Sequence, residues 1–132
     1  MAIEAKLFET GDASIGGAGV STQTSEPKRV EGNVVAIGVT YNGSPPAATT
    51  DLTIKTKGRI GPIRTLLTLT NAATNGWFDL AAPVVDSDNT TPTYNATEPI
   101  ERIGIPVHDD VEVVIAQAND NDGASVVLLV EV

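Results

Sequence analysis

Val107-His-Asp-Asp-Val-Glu-Val-Val-Ile-Ala-Gln-Ala118, Asn119-Asp-Asn-Asp-Gly123 and Ala124-Ser-Val-Val-Leu-Leu-Val-Glu-Val132 close the chain: two apolar, β-branched runs around a polar turn ending in Asp-Gly. Branched side chains fit a pleated surface, and Asn, Asp and Gly accept the backbone angles of a tight turn, so the stretch predicts a β-hairpin. Its second run is apolar at nearly every position from Val126 to Val132. Such a strand belongs at the centre of a sheet with protein on both faces, or buries one face at an interface. If Val126, Leu128 and Val130 lie exposed on a single subunit, assembly is indicated; if they are covered, they are core.

Working outward, 132 residues make one ordinary domain, able to bury about two-thirds of its unfolded surface without staples. Val, Ile, Leu and Thr are abundant, while Lys, Glu, Gln and Met are scarce, which disfavours long helices. Cysteine is absent, so disulfides and thiolate chemistry are excluded. Seventeen acidic against eight basic residues give a net charge of −9, which repels a phosphate backbone and argues against nucleic acid as a partner. The first ten residues carry charges where a signal peptide needs an apolar core, and no run approaches the roughly 20 residues of a membrane-spanning helix, so no membrane partner is expected.

Ala2 to Phe8 alternates loosely and reads as an edge strand or an extended arm; Thr10 to Pro27, with Ile15-Gly-Gly-Ala-Gly-Val20, reads as a flexible loop. It lacks the Gly-Lys-Ser/Thr ending of a phosphate loop. Residues 1–28 are therefore assigned to an arm and loop, and 29–132 to one β domain. Val30 to Tyr41 is a strand with Val35, Ile37, Val39 and Tyr41 on one face and Val34, Ala36, Gly38 and Thr40 on the other, stopped by Asn42-Gly-Ser-Pro-Pro46. Leu52, Ile54 and Thr56 alternate with Thr53, Lys55 and Lys57; after the Gly58-to-Pro62 turn, Ile63, Thr65, Leu67 and Leu69 continue a second strand, completing another hairpin. Ala82 to Pro99 reads as a long exposed loop with a brief strand near Tyr94, and Pro106 marks a strand end or edge. Seven or eight short strands and no repeat predict an all-β antiparallel sandwich, jelly-roll-like or Greek-key.

Catalytic chemistry finds no foothold. His108, the only histidine, sits in an expected turn with no partner serine singled out. Asn119-Asp-Asn-Asp-Gly123 resembles part of a calcium loop, but with Gly123 in sixth place Ala118 and Leu129 fall at the first and twelfth positions, where oxygen ligands are required. Asp79, Asp86, Asp88, Glu98 and Glu101 offer no selectable pair of carboxylates. No metal, no cofactor and no enzyme activity are therefore expected. The sequons at Asn42, Asn89 and Asn95 reflect loop composition. Lys55, Lys57, Arg59 and Arg64 form a basic group, balanced by the protein's own acids or suited to an acidic partner surface. Trp77 and Phe78 are the only adjacent aromatics, read first as core or rim packing and second as a stacking platform.

Asp51-Leu-Thr-Ile-Lys-Thr-Lys-Gly-Arg59, Gly61-Pro62, the Thr65-to-Thr70 strand, Asn75-Gly-Trp-Phe78 and the Val111-to-Val132 ending resemble small proteins that tailed bacteriophages encode near the major capsid protein. The likeness covers roughly half the chain. It implies a capsid decoration or cement protein: a β-sandwich, often a homotrimer, on the exterior of the virion, binding the major capsid protein at capsomer junctions. As bets from side-chain chemistry, Ile3, Leu7, Phe8, Trp77 and Phe78 pack on the shell or a neighbouring subunit, and Lys57, Arg59 and Arg64 meet acidic groups. From another class comes a carbohydrate- or receptor-binding module, with Trp77 as platform and Asp86, Asp88 and Asn89 as polar clamps.

Overall fold

Lys28–Asn42 holds apolar and β-branched residues over fifteen positions, too long for one partner to cover. A computed structural model, which describes residues 2–14, 16–42, 46–80, 82–83, 93–94, 98–99 and 102–132, makes this strand the hub. In chain order the strands are β1 (Ile3–Glu9), β2 (Ser21–Thr24), β3 (Lys28–Asn42), β4 (Asp51–Thr56), β5 (Thr65–Leu69), β6 (Gly76–Asp79), β7 (Ala82–Pro83), β8 (Thr93–Tyr94), β9 (Glu98–Pro99), β10 (Arg102–Ile103), β11 (Ile105–Ala118) and β12 (Gly123–Glu131). No helix occurs among the described residues, and every pairing is antiparallel, as expected for the all-β class.

The first half of β3 pairs with β11, from Lys28 opposite Val111 to Val34 opposite Ile105. Its second half pairs with β12 on one edge and β6 on the other. Beyond Val111, β11 takes β4 on one edge, and β2 pairs with Val114, Ile115 and Ala118. These links give one eight-stranded sheet in the order β1-β12-β3-β11-β4-β5, with β2 and β6 branching from β11 and β3. The chain therefore passes between the two halves of the sheet through β3, with hydrogen bonding continuous throughout. Gly32 lies where this happens: at φ 137° it takes a backbone shape that favours glycine, and a Cβ there would come within 2.5 Å of the Glu131 carbonyl.

The closing stretch departs from the expected hairpin. β11 and β12 are not neighbours; β3 lies between them. The turn residues are the ones a hairpin selects, but their polar atoms hold other loops. The Asp122 carboxylate accepts N–H groups of Ala47 and Asn119, Asn119 Oδ1 accepts Gly19 N–H, and Asp120 pairs with the Ser21 hydroxyl. Positive φ at Gln117 and Asn121 redirects the chain into the other half of the sheet. Both apolar strands can then pair with β3 and share one core.

That core contains Phe8, Val30, Val34, Ile37, Leu52, Ile54, Val113, Ile115, Val126, Leu128 and Val130, all essentially inaccessible to solvent. At about 25 cal/mol per Å² of apolar surface, each fully buried Leu or Ile contributes roughly 1.5–3 kcal/mol. β12 is central as expected, between β1 and β3. Its Val126, Leu128 and Val130 are core side chains, so by themselves they say nothing of assembly.

Two bulges alter the expected faces. Between Leu129 and Val130 of β12 the β3 register steps from Ala36 to Val34, leaving Val35 as the extra residue. Its carbonyl accepts the Leu80 N–H instead. The alternation consequently flips: Val30 and Val34 point inward before the bulge, Ile37, Val39 and Tyr41 after it, and Val35 is only half-buried. In the β4–β5 hairpin, which forms as expected, a register shift opposite Ile54 and Lys55 skips Leu66. Leu66 is the buried residue of β5, and Ile63 is exposed.

The N-terminus takes the edge-strand alternative, with β1 paired to β12 from Ile3 opposite Glu131 to Glu9 opposite Ser125. The Gly-rich stretch that follows is tied to the sheet: Ala13 is buried, Ala13 N–H donates to Asp122, and Ala124 N–H donates to the Thr10 hydroxyl. His108 lies within β11 opposite Glu31 rather than in a turn. Pro106 sits in β11 where β3 is its only sheet partner among the described residues, a position that requires no second N–H donor.

Candidate interaction surface

Residues directly opposite one another in antiparallel strands share a face, so the register assembles the surface. One cross-strand row runs Leu7, Val127, Gly38, Trp77, and the next runs Ala5, Leu129, Ala36, Asp79. Ile3 opposite Glu131 begins a third. All point away from the core. Ile3 is 59% exposed, Leu7 46% and Trp77 64%, with Val127 and Leu129 half-exposed between them. The opposite rows are Phe8, Val126, Val39, Gly76 and Lys6, Leu128, Ile37, Phe78; they lie on the core side, except that Lys6, at the sheet edge, reaches solvent and pairs with Glu4.

This separates the sequence-based candidates. Ile3, Leu7 and Trp77 come together on one outer face. Phe8 is a core residue, and Phe78 packs half-buried against the core on the opposite side of β6 from Trp77. Trp77 takes the opposite place from Phe78 because neighbours along a strand alternate. It is the exposed member of the pair, in contrast to the packing expected for it. Gly38 explains how the indole lies: a Cβ there would meet Trp77 Cζ3 and Cη2 at 2.9 Å, so only glycine lets the ring rest on the β3 backbone. Beside it is a shallow cleft of roughly 290 Å³, floored by Gly38 and Val127 and rimmed by Thr40, Asn75 and Ser125.

The basic group lies elsewhere, on β4 and in the turn of the β4–β5 hairpin, at the other end of the strand order. Lys57 pairs with Glu112 at 3.4 Å and Arg59 with Asp110 at 3.0 Å, while Arg64 donates to the Pro106 carbonyl at 3.1 Å. Arg29 also reaches Asp110, at 3.7 Å. These cations are engaged by the protein's own groups, the balanced form of the two foreseen. Beneath them, buried Asp109 accepts N–H groups of Arg59 at 3.2 Å, Ile60 at 3.3 Å and Asp110 at 2.7 Å. Burial raises its pKa, but the N–H donors of Ile60, Asp110, Arg59 and Gly58 outweigh it and hold the carboxyl below its ordinary range.

The side-chain oxygens of Asn119 and Asp122 are likewise hydrogen-bonded to backbone N–H groups, which gives the turn a latching role. Among the described residues no group of three or more His, Asp or Glu side chains is arranged to hold a metal. Asp86, Asp88, Asn89, Asn95 and Glu101 lie outside the described residues, as do the Glu98 and Tyr94 side chains. Sequence reasoning missed Val127 and Leu129 as members of this face. Their signal was present in the apolar character of both faces of β12, but assigning a row required the β1 and β3 registers. Gly38 reads from the sequence as a bulge or a close approach, and the approach is made by the Trp77 ring. No family model, curated protein or solved structure matches the chain.

Proposed function

We propose that this protein is a structural virion component, not an enzyme, that sits on the exterior of a phage capsid, contacts the major capsid protein and stabilises the shell by bridging capsomers. The observation that carries the reading is the exposed apolar row of Leu7, Val127 and Trp77, with Ile3 two rows away on the same face, on a molecule of net charge −9. A contiguous apolar patch on a polar molecule is the property of a docking face. The sequence resemblance to phage decoration proteins points the same way. Each copy supplies a modest contact, and many symmetry-related copies multiply it. The self-paired cations Lys57, Arg59 and Arg64 contribute less, since each must leave a partner to meet a new one.

The test is occupancy on purified shells of a tailed-phage major capsid protein. A Leu7→Ser, Trp77→Ser variant is expected to lose at least tenfold in affinity, about 1.4 kcal/mol, with its melting temperature unchanged. Binding equal to wild type refutes the reading. Deleting β1 would be a poor test, because it removes Phe8 from the core.

The exposed indole beside Thr40, Asn75 and Ser125 favours one second reading, a carbohydrate site in which a sugar ring stacks on Trp77 and its hydroxyls meet neutral polar groups. Glycan-array binding abolished by Trp77→Ser, with shell occupancy absent in wild type, would select that reading over the first.

A further inference from the structure

We propose that the outer edge of β1, which has no partner strand among the described residues, pairs antiparallel with β1 of a second copy about a two-fold axis at Ala5, joining two sheets into one; this does not rest on the capsid reading. β1 ends the strand order. Its inner edge is fixed by Thr10 N–H donating to Ala124 and Val132 N–H donating to the Ala2 carbonyl, both at 3.0 Å. Even-numbered residues therefore bond to β12, and the N–H and C=O groups of Ile3, Ala5, Leu7 and Glu9 point outward. The Leu7 carbonyl accordingly accepts Lys28 Nζ from outside the sheet.

Side-chain order selects the register. About Ala5, the hydrogen-bonded positions are Ile3 with the partner's Leu7, Ala5 with the partner's Ala5, and Leu7 with the partner's Ile3. Glu4 then falls opposite the partner's Lys6 at a non-hydrogen-bonded position, where Cα atoms stand about 4.5 Å apart and side chains are closest. The two-fold repeats each match. Within one copy Glu4 and Lys6 already lie on one face, 3.8 Å apart, beside Arg29 and Glu31, one charge of each sign. Moving the axis to Lys6 opposes two lysines and puts Ile3 against Glu9; moving it to Glu4 opposes two glutamates; moving it to Leu7 leaves no charge pair. Among these registers, only the one about Ala5 satisfies both apolar and charged side chains. It also places Ile3 of one copy beside Leu7 of the other on the outer face, extending the apolar row across the axis.

Lys28 is the group that must yield, since its ammonium occupies Leu7 O and lies 5.7 Å over the Phe8 ring. A lysine on a sheet edge restrains uncontrolled pairing, and this exposed one can swing into solvent.

The test is the mass of the full-length protein by analytical ultracentrifugation across micromolar to millimolar concentration. A species of twice the 13.7 kDa monomer is expected. Lys6→Glu or Glu4→Lys alone should weaken it at least tenfold, while the double exchange Glu4→Lys, Lys6→Glu restores it, a rescue specific to this register. Lys28→Ala should leave the dimer as tight or tighter. A monomer throughout, a trimer, or a dimer indifferent to the single charge reversals overturns the proposal.

Discussion

Asp109 shows what one side chain contributes here. Its carboxylate gathers the N–H groups that open the Gly58–Ile63 turn, and its pKa is held below the ordinary range. A group with a folded pKa below its unfolded value adds stability above the unfolded pKa of about 3.9, and that stability is lost as pH falls through the folded value. Asp109→Ala should therefore lower the urea midpoint at pH 7, with the gap to wild type closing below about pH 4. Equal gaps at pH 7 and pH 3 would contradict this assignment. Tyr41 is the converse case: its hydroxyl is buried with no hydrogen-bond partner among the described residues, and burial raises its pKa. Tyr41→Phe removes an unsatisfied group and should stabilise the fold by about 1 kcal/mol in denaturant melts. None of this was legible in the sequence, where Asp109 is one of two adjacent aspartates and Tyr41 one apolar position in an alternating strand.

At the scale of the element, legibility followed the periodicity. β4 alternates without interruption in its sequence, and its buried face was readable; β12 alternates in burial, but it is apolar on both faces and its sequence did not say which one is core. β3 and β5 each carry one extra residue, Val35 and Leu66, and an extra residue leaves no mark on composition while reversing every side chain beyond it. The turn at Asn119–Gly123 failed as a hairpin signal for a related reason. Asn, Asp and Gly report that the chain reverses, not which strand it pairs with afterwards, and here Ala47, Gly19 and Ser21 take up the turn's polar atoms. β12 offers a direct check on its two faces. Leu128→Ala, in the core, should cost about 2–5 kcal/mol, and Leu129→Ala, on the outer face, less than about half as much. Equal losses would mean that the outer face is covered in the folded protein.

On the scale of the whole molecule, an acidic surface carries one apolar face built from β1, β12, β3 and β6. Part of that face was legible: Ile3, Leu7 and Trp77 were candidates on side-chain chemistry. Their companionship was not, because Leu7 and Trp77 meet only through Val127 and Gly38 in strands far apart in sequence. Phe8 and Phe78 fall on the opposite side of the sheet for the same reason, since a single position of alternation separates an outer residue from an inner one. Docking through an apolar face also predicts weak dependence on ionic strength. Raising salt from 0.1 to 1 M shortens the screening length from about 10 to about 3 Å, which would strip a complex held by Lys57, Arg59 and Arg64 but leave one held by Leu7 and Trp77. The most direct measurement of the proposed docking is the copy number bound to purified shells of a tailed-phage major capsid protein, for wild type and for Leu7→Ser, Trp77→Ser. The account predicts salt-resistant binding by the wild type and at least tenfold weaker binding by the folded variant. Equal occupancy by the two proteins, or no occupancy by the wild type, would contradict it.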